Sequence, residues 1–249
     1  MFDQYPKTRP PLPREIAEIY SLHYKANRLG RTAASSLSQR MEGWLHRRVA
    51  GDLGVGPRRE IDTLEVGAGT LNQLQFEPVV GPYDIVEPFQ ALYQGSDLLP
   101  RVRQVFADIS EVPSDLRYDR ISSVATFEHI CNLPEVVARC GLLLKPGGTL
   151  RVGIPSEGTP LWALGWRLTT GLEFRLKYGL DYGRLMRHEH VNTAREIREI
   201  LEYFFEQLEC RVFGLSRALS LYQFYAGGSP RASRCLEVVK SGLRCRLQS

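Results

Sequence analysis

The stretch Ile61-Asp-Thr-Leu-Glu-Val-Gly-Ala-Gly-Thr70 decides how the rest of the chain is interpreted. Its short apolar run favours a buried β-strand. Gly67-Ala68-Gly69 then predicts a tight turn whose backbone comes close to another molecule, because glycine lacks a Cβ atom. If a helix begins after the turn, its free N–H groups face that molecule. Turns after strands also use glycine for purely structural reasons, so the motif needs support from the rest of the chain.

Two further predicted strands end in carboxylates. Tyr83–Glu87 is an apolar run whose last residue is an acid. In an open α/β sheet, an acid at the tip of the second strand can accept hydrogen bonds from ribose hydroxyls. Residues 102–109 form a third run, in which Asp108 stands beside Ile109. This pair suits an adenine, with the carboxylate near the exocyclic amine and the isoleucine against the ring.

The order of the motifs continues through a fourth and a fifth strand. Residues 118–129 predict the fourth strand, and residues 142–154 predict a helix end, a Pro-Gly-Gly turn and the fifth strand. With these motifs the sequence resembles the class I S-adenosylmethionine-dependent methyltransferases. Leu64–Thr70 is similar to the first motif of that family, and Leu144–Gly148 is similar to the turn before its fifth strand. The resemblance covers roughly residues 60–155.

The resemblance implies a fold and a cofactor. The expected fold class is α/β, with a Rossmann-like, seven-stranded, mostly parallel sheet of order 3-2-1-4-5-7-6 and helices on both faces. The expected cofactor is S-adenosyl-L-methionine. Leu71 departs from the family pattern, since many members have a third glycine at that place. The residues expected to line the cofactor are Glu65, Gly67, Ala68, Gly69, Glu87, Asp108, Ile109 and Thr126.

The chain outside this core divides into three parts. Residues 1–57, with a proline-rich start and two helical patterns, are predicted as an N-terminal arm and cap helices. Residues 58–249 are predicted as the methyltransferase domain. Within it, residues 156–192 interrupt the alternation of strands and helices. A long segment in a compact domain is usually functional or disordered, and its aromatic residues argue against disorder, so it is predicted as an inserted lid on the acceptor side.

The end of the chain carries a helix signal and two strand signals. Thr193 with Glu196 three residues later is typical of a capping box, which predicts a helix from Ala194. Residues 207–215 and 234–240 are predicted as the last two strands, which form an antiparallel hairpin in the family that this sequence resembles.

Composition bounds the function. The 249 residues, 43% of them apolar, suffice for one sizeable α/β domain. No run approaches the ~18 to 20 apolar residues of a membrane span, and the first residues show no signal pattern. The five cysteines have no zinc-like spacing, which predicts free thiols and a cytoplasmic location. A net charge of +4 permits an anionic substrate without indicating nucleic acid.

The candidate catalytic residues lie at the end of the fourth strand and within the inserted segment. Methyl transfer from a sulfonium is an in-line displacement, so the protein mainly aligns the acceptor and removes its proton. His129 is the predicted general base, because an imidazole titrates near neutrality, and His190 is the alternative. The other interpretation is that both histidines only shape the pocket. The run His188-Glu189-His190 is weak evidence for a metal, so no metal site is predicted.

The acceptor is the least determined part of the hypothesis. The aromatic residues between 160 and 182 either fill the lid's own core or form an apolar wall around the acceptor. The leading hypothesis is O-methylation of a small molecule or a sugar-containing acceptor, such as a natural product or a polysaccharide precursor. The alternatives are an RNA-modifying methyltransferase, a nicotinamide-dependent enzyme and a non-catalytic S-adenosylmethionine-binding protein. A nicotinamide-dependent enzyme would rely on a fuller Gly-x-Gly-x-x-Gly turn, which Leu71 and Asn72 do not provide. The sequence leaves the acceptor and the oligomeric state open.

Overall fold

The structure is a computed structural model that describes residues 2–17, 19, 33–54, 60–78 and 81–246, and side chains outside 33–40 and 243–246. Of the two helical patterns predicted within residues 1–57, the first is helical at residues 14–17, and residues 20–32, over which that pattern continues, lie outside the described residues. Among the helices of the described ranges, none has the length and apolar character needed to cross a membrane.

One seven-stranded sheet forms the centre of the molecule, in the order β3-β2-β1-β4-β5-β7-β6. The first five strands pair in parallel, and β7 runs antiparallel to both β5 and β6. The predicted fold class and strand order are therefore confirmed. The strands are β1 (Thr63–Val66), β2 (Tyr83–Val86), β3 (Gln104–Phe106), β4 (Tyr118–Val124), β5 (Leu144–Pro155), β6 (Phe205–Gly214) and β7 (Ser220–Pro230).

Helices connect these strands and cover the sheet. Between β1 and β2 the described residues form a short 3₁₀ turn, Asn72–Gln75. The capping box predicted before Ala194 is confirmed, because the Thr193 and Glu196 side chains each bond the other's backbone N–H. The α-helices are α1 (Ala33–Val49), α2 (Gln90–Tyr93), α3 (Leu133–Leu143), α4 (Pro160–Leu168), α5 (Thr170–Tyr178), α6 (Tyr182–Glu189), α7 (Ala194–Phe204) and α8 (Ala232–Arg246).

The register of the central strands brings their carboxyl ends to one edge. All four residues of β1 and all four of β2 are buried, as expected for parallel strands covered on both faces. Val66 pairs with Val86, so the chain leaves both strands at the same level. Gly67 and Glu87 therefore emerge side by side at the edge where ligands bind in open α/β sheets.

A buried arginine fixes α1 to the sheet. Arg120 on β4 is 1% exposed. Its guanidinium donates to the Glu77 carboxylate over 2.7 and 3.0 Å, and to the Val49 carbonyl at the end of α1 over 2.8 Å. A buried charge is tolerated only when it is paired and hydrogen-bonded in this way. Next to this anchor, Leu45 of α1 packs with β4 and β7 residues in a separate apolar cluster.

The prediction of the last strand is wrong. The strand that pairs with β5 and β6 is β7, Ser220–Pro230, whereas residues 234–240 lie in α8. Branched residues such as Val238 and Val239 favour strands, but in α8 these two pack against the main core. The two glycines near the end of β7 are typical of a loop, so this strand was not predicted. One of them, Gly227, lies against the Phe205 ring, where an added Cβ would be 2.9 Å from that ring.

The inserted segment is helical and has its own small core. Helices α4, α5 and α6 occupy most of residues 156–192. Phe174 and Leu185 are buried there together with Ile16 from the N-terminal segment. The cysteines with described side chains, Cys131, Cys140, Cys210 and Cys235, are free thiols, as predicted.

Candidate functional site

The turn after β1 is tightly constrained at Gly67. Its φ angle is +75°, a left-handed conformation that favours glycine. A Cβ atom at this position would lie 2.2 Å from Cγ2 of Thr126 and 2.4 Å from its hydroxyl oxygen. Thr126 in turn donates from its hydroxyl to the Gly67 carbonyl over 3.2 Å. The turn after β1 and the segment after β4 are therefore packed against each other without room for a side chain.

Glu87 closes the same turn from the end of β2. One carboxylate oxygen accepts the Gly69 N–H over 2.8 Å and the other accepts the Phe89 N–H over 3.0 Å. Glu87 is 6% exposed. A carboxylate offers about four acceptor positions, so two remain after these bonds. The Glu87 side chain thus holds the glycine turn in place, and its remaining acceptor positions could receive hydrogen bonds from hydroxyl groups.

The other residues predicted at the cofactor occupy different environments. Asp108 is exposed and caps the short helix Ile109–Glu111, accepting the Ser110 N–H over 2.8 Å. Ile109 is buried in the main core, and Ala68 is buried beside the turn. Glu65 is 2% exposed and accepts the Tyr83 hydroxyl over 2.9 Å. Burial raises the pKa of Glu65 to about 8, and the cofactor role of this residue stays a prediction.

A second group of residues begins directly after Thr126, on the far side of the glycine turn. The residue before it, Ala125, has a φ angle of +49°, and a non-glycine residue in this region stores strain of about 1–3 kcal/mol. Residues 127–129 then form a 3₁₀ turn. This turn carries Glu128 and His129 away from the sheet edge toward the end of α6.

Asn192 holds that turn against the end of the inserted segment. The side chain is fully buried, and its amide donates to the carbonyls of Phe127 and Ile130 over 2.8 and 2.7 Å. Its oxygen accepts the Tyr5 hydroxyl over 2.9 Å. The backbone N–H of Asn192 also donates to the Glu128 carbonyl over 3.1 Å. Segments that are about 60 residues apart in sequence are therefore fixed side by side.

This arrangement brings the two predicted catalytic histidines together. The ring centroids of His129 and His190 are 4.8 Å apart, with the rings nearly perpendicular. His129 bonds through Nδ1 to the Glu189 carbonyl over 2.9 Å. His190 bonds through Nδ1 to the Glu157 carboxylate over 2.6 Å. His188, by contrast, bonds to the Pro10 carbonyl over 2.7 Å.

Burial and several carboxylates together determine the charge state of the His190 ring. Burial alone lowers the pKa of His190, but the hydrogen bond to Glu157 and the charges of Glu128 and Glu157 raise it overall. Burial pushes the pKa of Glu157 up, and its bonds to His190 and Trp162 outweigh that effect and lower it. Glu128 is 1% exposed, and burial raises its pKa to about 7. The site thus combines two imidazoles with two carboxyl groups whose pKa values are shifted in opposite directions, up for Glu128 and down for Glu157.

These hydrogen bonds determine the tautomers of the neutral His129 and His190 rings. A backbone carbonyl only accepts, so Nδ1 of His129 donates and the lone pair of the neutral ring is on Nε2. The ionised Glu157 carboxylate also only accepts, so neutral His190 likewise carries its lone pair on Nε2. These lone pairs can accept a proton from a hydroxyl group, or can bind a cation.

Sequence reasoning missed three members of this site. Glu157 bonds to His190, and Oε1 of Glu128 lies 3.8 Å from Nε2 of His129. Asn192 holds the turn that carries His129. None of these three residues was a candidate. Each of the three has a position in the sequence that points to it. Glu128 directly precedes His129, and Asn192 follows His190 by two residues. Glu157 stands just after β5, at the same edge of the sheet as the other strand ends.

The sequence matches the profile of one protein family. The sequence profile of a family described as a methyltransferase domain matches residues 34–204, which is more than half of the 249 residues. The matched range contains the glycine turn, Glu87 and both histidines. A comparison with curated proteins finds no match.

Three solved structures illustrate the shared fold. The CurJ carbon methyltransferase is 20% identical with a TM-score of 0.55, and the alignment covers 87% of this chain and 62% of that one. The N-methyltransferase NodS from Bradyrhizobium japonicum, in complex with S-adenosyl-L-homocysteine, is 14% identical with a TM-score of 0.53 over 80% of this chain and 89% of that one. Phosphoethanolamine N-methyltransferase 2 from Haemonchus contortus, in complex with S-adenosyl-L-methionine, is 14% identical with a TM-score of 0.53 over 75% and 52%. The chain spans less than two thirds of the first and third of these proteins.

Proposed function

The chain belongs to the class I S-adenosylmethionine-dependent methyltransferases, and from this premise we propose that it methylates an oxygen of a small-molecule or sugar-containing acceptor. It is an enzyme whose cofactor is S-adenosyl-L-methionine. The proposal adds the acceptor class, the atom that is methylated and the residues that act on it. A cytoplasmic location and the absence of nucleic acid among its partners remain predictions from the sequence.

The proposed reaction is an in-line displacement at the methyl carbon. The acceptor oxygen forms a bond to this carbon, the carbon–sulfur bond breaks, and its electron pair stays on sulfur, so that S-adenosylhomocysteine leaves as a neutral thioether. The acceptor proton is transferred to a base of the protein as the new bond forms. We propose His129 as this base, with His190 as the alternative.

One observation carries this proposal. The rings of His129 and His190 lie 4.8 Å apart, each with Nδ1 in a hydrogen bond to a protein acceptor. Their Nε2 atoms therefore hold the lone pairs when the rings are neutral. The turn that carries His129 begins next to Thr126, which contacts Gly67 of the cofactor turn. A base in this position supports transfer to a hydroxyl, because a hydroxyl must lose a proton as it is methylated.

The ribose contact supplies the first test of the cofactor site. We expect Glu87→Ala to weaken S-adenosylmethionine binding by roughly 10- to 100-fold, because hydrogen bonds to a charged acceptor contribute about 1.5–3 kcal/mol. Isothermal titration calorimetry measures this change. The matched control is Glu209→Ala, which removes an exposed carboxylate on β6 that pairs with Arg211. Equal affinity in wild type and Glu87→Ala contradicts the assignment.

We propose that residues 156–192 form the acceptor-side lid. Trp162 on α4 supports this role, because its indole N–H donates to Glu157 over 2.7 Å, on the same carboxylate oxygen that binds His190. The ring also packs edge-on against Tyr222 of β7. The lid is thereby linked to the histidine pair and to the sheet.

Removing the lid's aromatic contacts should affect the acceptor more than the cofactor. We expect Trp162→Ala and Trp166→Ala to lower kcat/KM for the acceptor by about 10- to 100-fold, because small displacements of a bound reactant are costly. S-adenosylmethionine affinity should stay within about twofold. Leu176→Ala, at a side chain 79% exposed on α5, is the control. Equal losses for acceptor and cofactor would indicate a purely structural core instead.

The reaction itself is tested with methyl-labelled S-adenosylmethionine. The purified full chain is incubated with separate pools of sugars and sugar nucleotides, phenols, amines and RNA, and the labelled product is identified by mass spectrometry. Label on an oxygen of a small acceptor supports the proposal. Label on RNA or on nitrogen contradicts it, and cofactor binding without transfer to any pool favours a non-catalytic binding protein.

A further inference from the structure

Three potential ligand atoms converge where the turn after β4 meets the end of α6. One atom each from Glu128, His129 and His190 lies within 4.8 Å of the other two. We propose that these three residues bind a divalent first-row transition-metal cation at the acceptor side of the cofactor site. The run His188-Glu189-His190, considered from sequence alone, contributes only its last residue.

The first argument is a buried oxygen that lacks a partner. Oε2 of Glu128 has no hydrogen-bond partner within the described part of the chain, and the residue is 1% exposed. Buried polar atoms are almost always satisfied, so an exception calls for a ligand or a functional reason. The other oxygen, Oε1, lies 3.8 Å from Nε2 of His129. A cation placed between the two residues would satisfy the carboxylate.

The second argument is the orientation of the imidazoles. Histidines that bind metals usually donate their other ring N–H to a carboxylate or a backbone carbonyl, which fixes the tautomer and makes the ligand nitrogen more basic. Both arrangements occur here. Nδ1 of His190 bonds to the Glu157 carboxylate over 2.6 Å, and Nδ1 of His129 bonds to the Glu189 carbonyl over 2.9 Å. The Nε2 atoms are therefore prepared as ligands.

The ligand set indicates the class of cation. Two imidazole nitrogens and one carboxylate oxygen suit zinc, cobalt, iron and related ions, whereas magnesium and calcium prefer oxygen ligands alone. Three protein ligands also leave at least one position open, as in catalytic zinc sites. That position is available to an acceptor oxygen.

The inference rests on the proposed function and changes its chemistry at one point. When bound, the cation would lower the pKa of an oxygen ligand, so that the acceptor hydroxyl would release its proton to solvent water more easily. Nε2 of His129 would then be a ligand of the cation, and the cation would replace the uncoordinated imidazole in activating the acceptor. The methyl transfer itself is unaltered.

The test measures metal binding directly. The full chain is treated with a chelator, dialysed, and titrated with Co²⁺, whose visible absorption reports nitrogen and oxygen ligation, and then Zn²⁺ is added to compete. We expect one Co²⁺ per chain in wild type. Glu128→Gln and His190→Gln should each weaken binding more than ~10-fold, and Glu157→Gln by ~10- to 100-fold through the lost support of His190. Circular dichroism establishes that each variant is folded.

His188→Gln is the matched control, because His188 lies two residues before His190 and bonds to the Pro10 carbonyl. It should bind Co²⁺ as wild type does. Wild type that takes up neither Co²⁺ nor Zn²⁺, or folded ligand variants that bind both as tightly as wild type, overturns the proposal. Methyl transfer by the chelator-treated chain would leave the proposed function standing and remove the cation from it. Metal binding without any O-methyl transfer would refute the proposed function alone.

Discussion

Gly67→Ala is expected to weaken S-adenosylmethionine binding by at least ~100-fold. The new Cβ would lie 2.2 Å from Cγ2 of Thr126, far inside van der Waals contact, and a non-glycine residue at a φ angle of +75° adds about 1–3 kcal/mol of strain. Strain and overlap together displace the turn that receives the cofactor, and each 1.4 kcal/mol is tenfold in affinity. Calorimetry with S-adenosylmethionine measures the loss, and thermal unfolding establishes that the variant is folded.

Two further variants separate the causes of this loss. Gly147→Ala has nearly the same backbone conformation, with a φ angle of +79°, but nothing lies within 4 Å of its added Cβ. It should lower stability by about 1–2 kcal/mol and leave cofactor affinity unchanged. Thr126→Gly in the Gly67→Ala background removes the three overlapping atoms and should restore part of the affinity. Wild-type affinity in Gly67→Ala itself would show that the cofactor does not approach this turn.

The fold was predictable because its determinants are local. Residues 61–70 and 83–87 contain a strand, a glycine turn and an acid, and each of these is recognised from residues close in sequence. The observed sheet order agrees with the family that this pattern resembles. The capping box at Thr193 is equally local. The error at residues 234–240 arose where local signals conflict. Branched residues occur there in a helix, while the true strand ends in glycines that make room for the Phe205 ring.

The site was only half predictable because its geometry depends on long-range contacts. The positions of His129 and His190 follow from strand ends and from a segment boundary. Their mutual distance depends on Asn192, which joins the turn after β4 to the end of the inserted segment. No periodicity encodes that contact. The burial of Glu128 Oε2 without a hydrogen-bond partner likewise depends on the folded structure around it. The sequence therefore did not predict a metal site.

His129→Gln is expected to lower the single-turnover rate of methyl transfer by ~10²–10⁴-fold, the usual contribution of a positioned base. The amide keeps much of the size of the imidazole but neither takes up a proton nor matches its strength as a ligand. S-adenosylmethionine affinity should stay within about twofold, because the ring lies beyond Thr126 from the glycine turn. The rate is measured in rapid-mixing experiments with the acceptor that the labelling experiment identifies. His188→Gln serves as the control and should retain the wild-type rate.

The same measurement separates the two chemistries assigned to His129. If His129 acts as a base without a metal, chelator-treated protein should keep the wild-type rate. If a cation held by Glu128, His129 and His190 activates the acceptor, the rate should be lost until the cation is added back. We expect the second result, with Co²⁺ or Zn²⁺ restoring the rate in wild type but not in His129→Gln. A chelator-treated wild type at full rate, with His129→Gln still slow, would assign the proton to the imidazole. If His129→Gln is fast and only His190→Gln is slow, the base is His190, which its bond to Glu157 orients.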